Sequence, residues 1–156
     1  MPSKNNQQLI KPRNVDFSKI SFSTPRQMGD SGAKMLYLNY DNKPFCIQLP
    51  ELEVGWDIKF FEDQRDSTTG KFNISLKFNN KGEKKHDEFH NFLEKLDELL
   101  IKACLENRAP WLKKPTASEE IIKELYTPLV KKSKDKETGE INGKYPDEFR
   151  FKLNKR

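Results

Sequence analysis

Residues 71–79 (KFNISLKFN) alternate without a break. Phe72, Ile74, Leu76 and Phe78 fall on one side of an extended chain, and Lys71, Asn73, Ser75, Lys77 and Asn79 on the other. A period of two with one apolar side predicts a strand with one face on a core and one face in water. Residues 149–153 (FRFKL) repeat the pattern, with Phe149, Phe151 and Leu153 inward and Arg150 and Lys152 outward. Residues 34–40 and 43–49, joined by Asp41-Asn42, predict a hairpin whose second strand starts at Pro44. Within the first of these strands, one of Tyr37 and Tyr40 must face outward. Residues 15–22 alternate in part and predict a first strand with a bulge. Residues 23–33, with Pro25, Gly29 and Gly32, predict a loop. After Gly55, strict alternation through residues 56–61 buries Trp56, Ile58 and Phe60 and turns Lys59 and Phe61 outward. Residues 63–70 read as a turn, 129–132 as extended, and 134–144 as a hydrophilic turn.

The period changes once. Phe89, Phe92, Leu93, Leu96, Leu99, Leu100 and Ala103 recur at helical spacing and predict one long helix over 86–106. Thr116 and Glu119 form a capping box for a short helix ending near Tyr126. Short strands with one substantial helix before the last of them predict a mainly β, α+β chain. The order suits a small five-stranded antiparallel barrel of the oligonucleotide-binding (OB) type; a plain α+β sheet is the alternative. The predicted organisation is a flexible N-terminal arm at 1–14, a single domain at 15–153 and a basic end at 154–156.

Composition sharpens this reading. The 156 residues are 34% hydrophobic and 34% charged, with a formal net charge of +5. A core can still form because the 11 Phe fall at periodic positions. Residues 1–34 carry six Lys/Arg against two Asp, 35–130 carry 14 against 17 carboxylates, and 131–156 carry nine against five. Basic ends around an acidic middle suit a polyanion partner. No stretch approaches the roughly 20 apolar residues of a membrane span, and MPSKNNQQ lacks the apolar core of a secretory signal. Cys46 and Cys104 make neither a disulfide framework nor a zinc site, which places the chain in an intracellular, reducing compartment.

The motifs that suggest catalysis do not hold together. His86 and His90 stand at i and i+4, a zinc-compatible spacing, but Asp87 occupies the position where a metalloprotease carries Glu, and no third ligand follows. The pair reads as a solvated, charged first helical turn. Gly29-Asp30-Ser31-Gly32 resembles a protease nucleophile loop, but both histidines come after Ser31, the wrong order for that family. Gly32-Ala33-Lys34 lacks the spacing of a phosphate loop. An enzyme has no anchor here, and neither a metal nor a cofactor is expected.

Basic and aromatic residues on wet strand faces are what remains. Single strands need cations to track phosphates and flat rings on which bases stack. The candidate cations are Lys59, Lys71, Lys77, Lys131, Lys132, Arg150 and Lys152; the candidate rings are Tyr40, Trp56 and Phe61. Three segments then carry a resemblance: KMLYLNYDNKPFCIQLPELEVGWDI at 34–58, KFNISLKF with HNFLEKLDELL, and YTPLVKKSKDKETGEINGKYPDEFRFKL at 126–153. Together they cover nearly all of 15–153. The chain resembles the OB-fold single-stranded-DNA-binding proteins of nucleocytoplasmic large DNA viruses, a group similar to the podophage replication proteins of that kind. The resemblance implies sequence-tolerant binding of single-stranded DNA in viral replication, recombination or repair, in the host cytoplasm or nucleus. RNA, a homodimer and replication proteins are compatible partners. The phage proteins carry an acidic C-terminal tail that recruits polymerase and helicase; this chain ends Phe-Lys-Leu-Asn-Lys-Arg, so that recruitment is not carried over. A competing expectation is a scaffold module that docks a basic partner on Asp87, Glu88, Glu94, Asp97 and Glu98 of the long helix.

Overall fold

A computed structural model describes residues 9–63, 66–79 and 82–153, with the side chains of residues 56–57 and 61–69 outside that description. In chain order the strands are β1 (Ile20–Phe22), β2 (Arg26–Met28), β3 (Ala33–Met35), β4 (Leu38–Tyr40), β5 (Lys43–Pro44), β6 (Glu53–Asp63) and β7 (Asp66–Lys77). Helices α1 (Lys84–Glu106) and α2 (Glu119–Leu125) come next, then β8 (Val130–Lys131) and β9 (Glu148–Leu153). The architecture is α+β, with three antiparallel sheets ordered β1-β4-β5, β2-β3 and β6-β7-β9-β8. Among the described residues no sheet closes into a barrel. The chain divides into two compact units: Met1–Leu49 with Glu98–Tyr126, and Pro50–Asp97 with Thr127–Arg156. The division falls inside α1.

In the first unit local polar chemistry cuts the expected strands short. The Asp16 carboxylate accepts from the Ser18 amide at 3.0 Å and its hydroxyl at 2.6 Å, starting a 3₁₀ turn at Phe17–Lys19 that replaces the first half of the strand expected over 15–22 and leaves β1 as the rest. The expected strand 34–40 breaks at residues 36–37 into β3 and β4, which belong to different sheets. The expected loop at 23–33 is a β2/β3 hairpin around a 3₁₀ turn at Gly29–Ser31. The Asp41-Asn42 turn matches expectation, with φ of 50° and 60° as a two-residue I′ turn requires, but the returning strand expected over 43–49 is reduced to Lys43–Pro44. The arm is tied down from Ile10 onward. Ile10 is buried and bridges Ile47 in parallel, its amide donating to the Cys46 carbonyl and its carbonyl accepting from the Gln48 amide at 2.8 Å. Residues 1–8 of the expected arm lie outside the described residues. Ser118, rather than Thr116, caps α2 by accepting from the Ile121 amide.

The second unit is a four-stranded sheet with the first half of α1 packed on one face. Register places Phe72, Ile74 and Leu76 of β7 beside Leu153, Phe151 and Phe149 of β9. Phe89 of α1 is fully buried there, 5.7 Å from the Phe78 ring and edge-on to Phe149 at 5.5 Å. Phe92, Leu93, Leu96 and Val130 complete this core. The core fills the Leu76–Phe78 end of the sheet. At the far end, Phe72 meets Phe60 at 5.0 Å and remains 39% exposed, so the expected inward side is covered over only part of its length. The expected turn at 63–70 is shorter than predicted, because β6 and β7 stay paired out to Asp63 and Asp66.

Candidate nucleic-acid interface

The face of the sheet opposite the Phe residues is built by register. Asn73 pairs with Lys152, Ser75 with Arg150 and Lys77 with Glu148 across β7 and β9. On the outer side of β9, Lys131 pairs with Glu148. On the other side of β7, Lys59 pairs with Asn73 and Glu53 with Lys77. Cross-strand partners share a face, so Lys59, Lys71, Lys77, Lys131, Arg150 and Lys152 converge on one surface with two carboxylates, Glu53 and Glu148. All of these cations except the half-buried Lys77 are exposed.

Two register shifts in β6, between Val54 and Trp56 and between Trp56 and Lys59, decide which residues of that strand join the face. Each lets one extra β6 residue oppose β7, the signature of a β-bulge. Trp56 is thereby registered against Ser75 and Phe61 against Lys71. The side chains of Trp56 and Phe61 lie outside the described residues. The first bulge puts Trp56 on the side opposite to the expected one; after the second, Lys59, Phe60 and Phe61 are back on their expected sides, Phe60 in register with Phe72, and Ile58 and Phe60 are exposed. Gly55 sits in the first bulge, where a Cβ would come within 3.0 Å of Lys77 Cγ. The absence of a side chain there lets the Lys77 stem lie against the β6 backbone.

One contact organises the centre of the face. Glu148 Oε2 accepts from the buried Ser75 hydroxyl at 3.0 Å and from Arg150 Nε and an η nitrogen at 3.2 and 3.0 Å. The guanidinium is held by a carboxylate on its own strand, two residues away.

Two sequence candidates fall elsewhere. Lys132 points to the helix side, its Nζ 3.1 Å from Glu94 of α1, because alternation after Lys131 turns it to the opposite face. Tyr40 belongs to the first unit and is half-buried, with its ring stacked on Phe45 at 5.7 Å and its hydroxyl accepting from the Asp16 amide. The outward ring of that strand pair is Tyr37, 56% exposed. Tyr145, which strand periodicity could not select because it lies in a loop, is 64% exposed beside Lys144, whose Nζ is 5.6 Å from its ring centre.

The histidines are not a solvated turn. His86 is buried and its Nε2 donates to the Glu51 carbonyl at 2.7 Å, while His90 Nε2 donates to Asp147 at 2.8 Å with the ring edge-on to Phe78. Both tie α1 to neighbouring segments of the second unit. Among the described residues no group of three His, Cys, Asp or Glu could hold a metal ion. The Ser31 hydroxyl donates to the Met28 carbonyl and accepts from the Ala33 amide, closing its turn. Cys46 and Cys104 are free thiols, and burial pushes the Cys104 thiol up, which makes it a poor nucleophile. The acidic side of α1 is partly engaged within the second unit: Glu94 holds Lys132, and Asp97 accepts from the Leu129 amide at 3.0 and 3.2 Å. No described helix is long and apolar enough to cross a membrane. No family model, no curated protein and no solved structure matches the chain.

Proposed function

We propose that the chain is a non-catalytic protein that binds single-stranded DNA without sequence preference across the cationic face of the β6-β7-β9-β8 sheet. The observation that supports this best is the register, which gathers six cations on the side of the sheet opposite the buried Phe cluster. A phosphate backbone running over Lys59, Lys71, Lys77, Arg150 and Lys152, with Lys131 at the margin, would meet a largely positive surface. Trp56 and Phe61, in register with Ser75 and Lys71, are the rings assigned to base stacking, worth about 1–3 kcal/mol per base. The resemblance to viral OB-fold single-stranded-DNA-binding proteins implies the same activity, in viral replication, recombination or repair. The five-stranded barrel that this resemblance implies belongs to the proposal as well, but the binding reading needs only an open sheet face.

The test is titration of the intrinsic fluorescence of Trp56 and Trp111 with oligo(dT) and with duplex of equal length, at two salt concentrations. Oligo(dT) is expected to bind more tightly. The slope of log affinity against log salt should be about −0.7 for each phosphate neutralised. Equal affinity for duplex, or no response to salt, overturns the proposal.

A further inference from the structure

The first unit holds a second cationic surface, and this one is concave. A cleft of about 440 Å³ is lined by Leu9, Ile10, Lys11, Arg13 and Asn14, by Lys19, by the hairpin residues Tyr40 and Asp41, and by Gln48. That volume lies in the range of small-ligand sites, roughly 300–1,000 Å³. Lys11, Arg13 and Lys19 contribute three positive charges, and among the described lining residues Asp41 is the one carboxylate. Asp16, close by in sequence, does not line the cleft; its carboxylate accepts from Ser18.

The walls are held by backbone hydrogen bonds. The segment carrying Lys11 and Arg13 is anchored on one side by the Ile10 bonds to Cys46 and Gln48, and closed on the other by the turn bond from the Asn14 amide to the Lys11 carbonyl at 2.9 Å. Lys19 is pinned at both backbone groups: its amide donates to the Asp16 carbonyl at 3.1 Å, and its carbonyl accepts from the Asp41 amide at 3.0 Å. The Tyr40 hydroxyl oxygen accepts from the Asp16 amide, which leaves its proton to donate to a ligand. The side-chain amides of Asn14 and Gln48 are further polar groups in the lining.

We propose that this cleft binds a phosphomonoester, either a free nucleoside monophosphate or the 5′-phosphate at the end of a nucleic-acid strand. A terminal phosphate carries a charge near −2 and three acceptor oxygens. Three cations and a hydroxyl donor on pinned backbone around one cleft match that doubly charged group better than they match the singly charged diester inside a strand. The strand-end source rests on the single-stranded-DNA reading above; the phosphomonoester site does not.

The test uses the full chain. Anisotropy is measured with 3′-labelled oligo(dT) bearing a 5′-phosphate or a 5′-hydroxyl, and the ³¹P resonance of thymidine monophosphate is followed on adding protein. A 5′-phosphate preference of roughly tenfold, the size expected of a charge-assisted hydrogen bond, assigns the strand end. A ³¹P shift without that preference assigns the free nucleotide. In either case the signal is expected to disappear in the Arg13→Gln, Lys19→Gln double variant, and circular dichroism checks that this variant keeps its fold. Equal affinity for the two strands together with an unmoved ³¹P resonance overturns the site, as does a signal that survives in the double variant. Failure of the single-stranded-DNA reading looks different: neither strand binds, whatever thymidine monophosphate does.

Discussion

Phe89 touches Phe78, Phe92 and Phe149 and has no exposed surface, so its ring joins helix to sheet in the second unit. Phe89→Ala is expected to destabilise that unit by about 3–5 kcal/mol, as large-to-small changes in a closed core do. Denaturant unfolding measures it, and a loss below about 1 kcal/mol would mean that the core is elsewhere. The position is legible in the helical period. The roles of His86 and His90 are not: their spacing is equally that of a metal pair, a wet turn or two tethers, and only the nearby Glu51 carbonyl and Asp147 carboxylate decide among these. Tyr37 and Tyr40 make the same point. Alternation requires one ring of the two to face out, but the break between β3 and β4 chooses Tyr37.

At the scale of elements, strands with unbroken alternation are legible in the chain and strands with irregular backbone are not. β7 and β9 carry strict period-two patterns, and their cationic sides are where the pattern puts them. β6 contains two bulges, and each reverses the side assignment of the residues after it, so the expected pairing of Trp56 with the buried set fails at the register level. Helix caps show a related ambiguity. Thr116 and Ser118 are both good N-caps by residue type, and the fold uses Ser118. Ser118→Ala is therefore expected to cost about 1 kcal/mol, seen as a lower melting temperature of the first unit, whereas Thr116→Ala changes it little.

For the whole molecule, the formal charge of +5 understates what a polyanion would meet, because the charges are sorted by face. Lys71→Gln with Lys152→Gln is expected to weaken oligo(dT) binding and to flatten the log–log salt slope by roughly 1.4, about 0.7 for each lost phosphate contact. An unchanged slope would remove this face from the binding site. The sequence alone determined the α+β class, the long helix, the two clean strands and the cationic character of their wet sides, because each follows from a periodicity or a residue type. Tertiary structure alone decided that the described strands lie in three sheets across two compact units, that Lys132 turns to Glu94, and that Lys11, Arg13 and Lys19 line one cleft. The physical reason is that periodicity specifies the side of an element a residue occupies. Which elements meet depends on bulges, breaks and long-range hydrogen bonds, which leave no period in the chain.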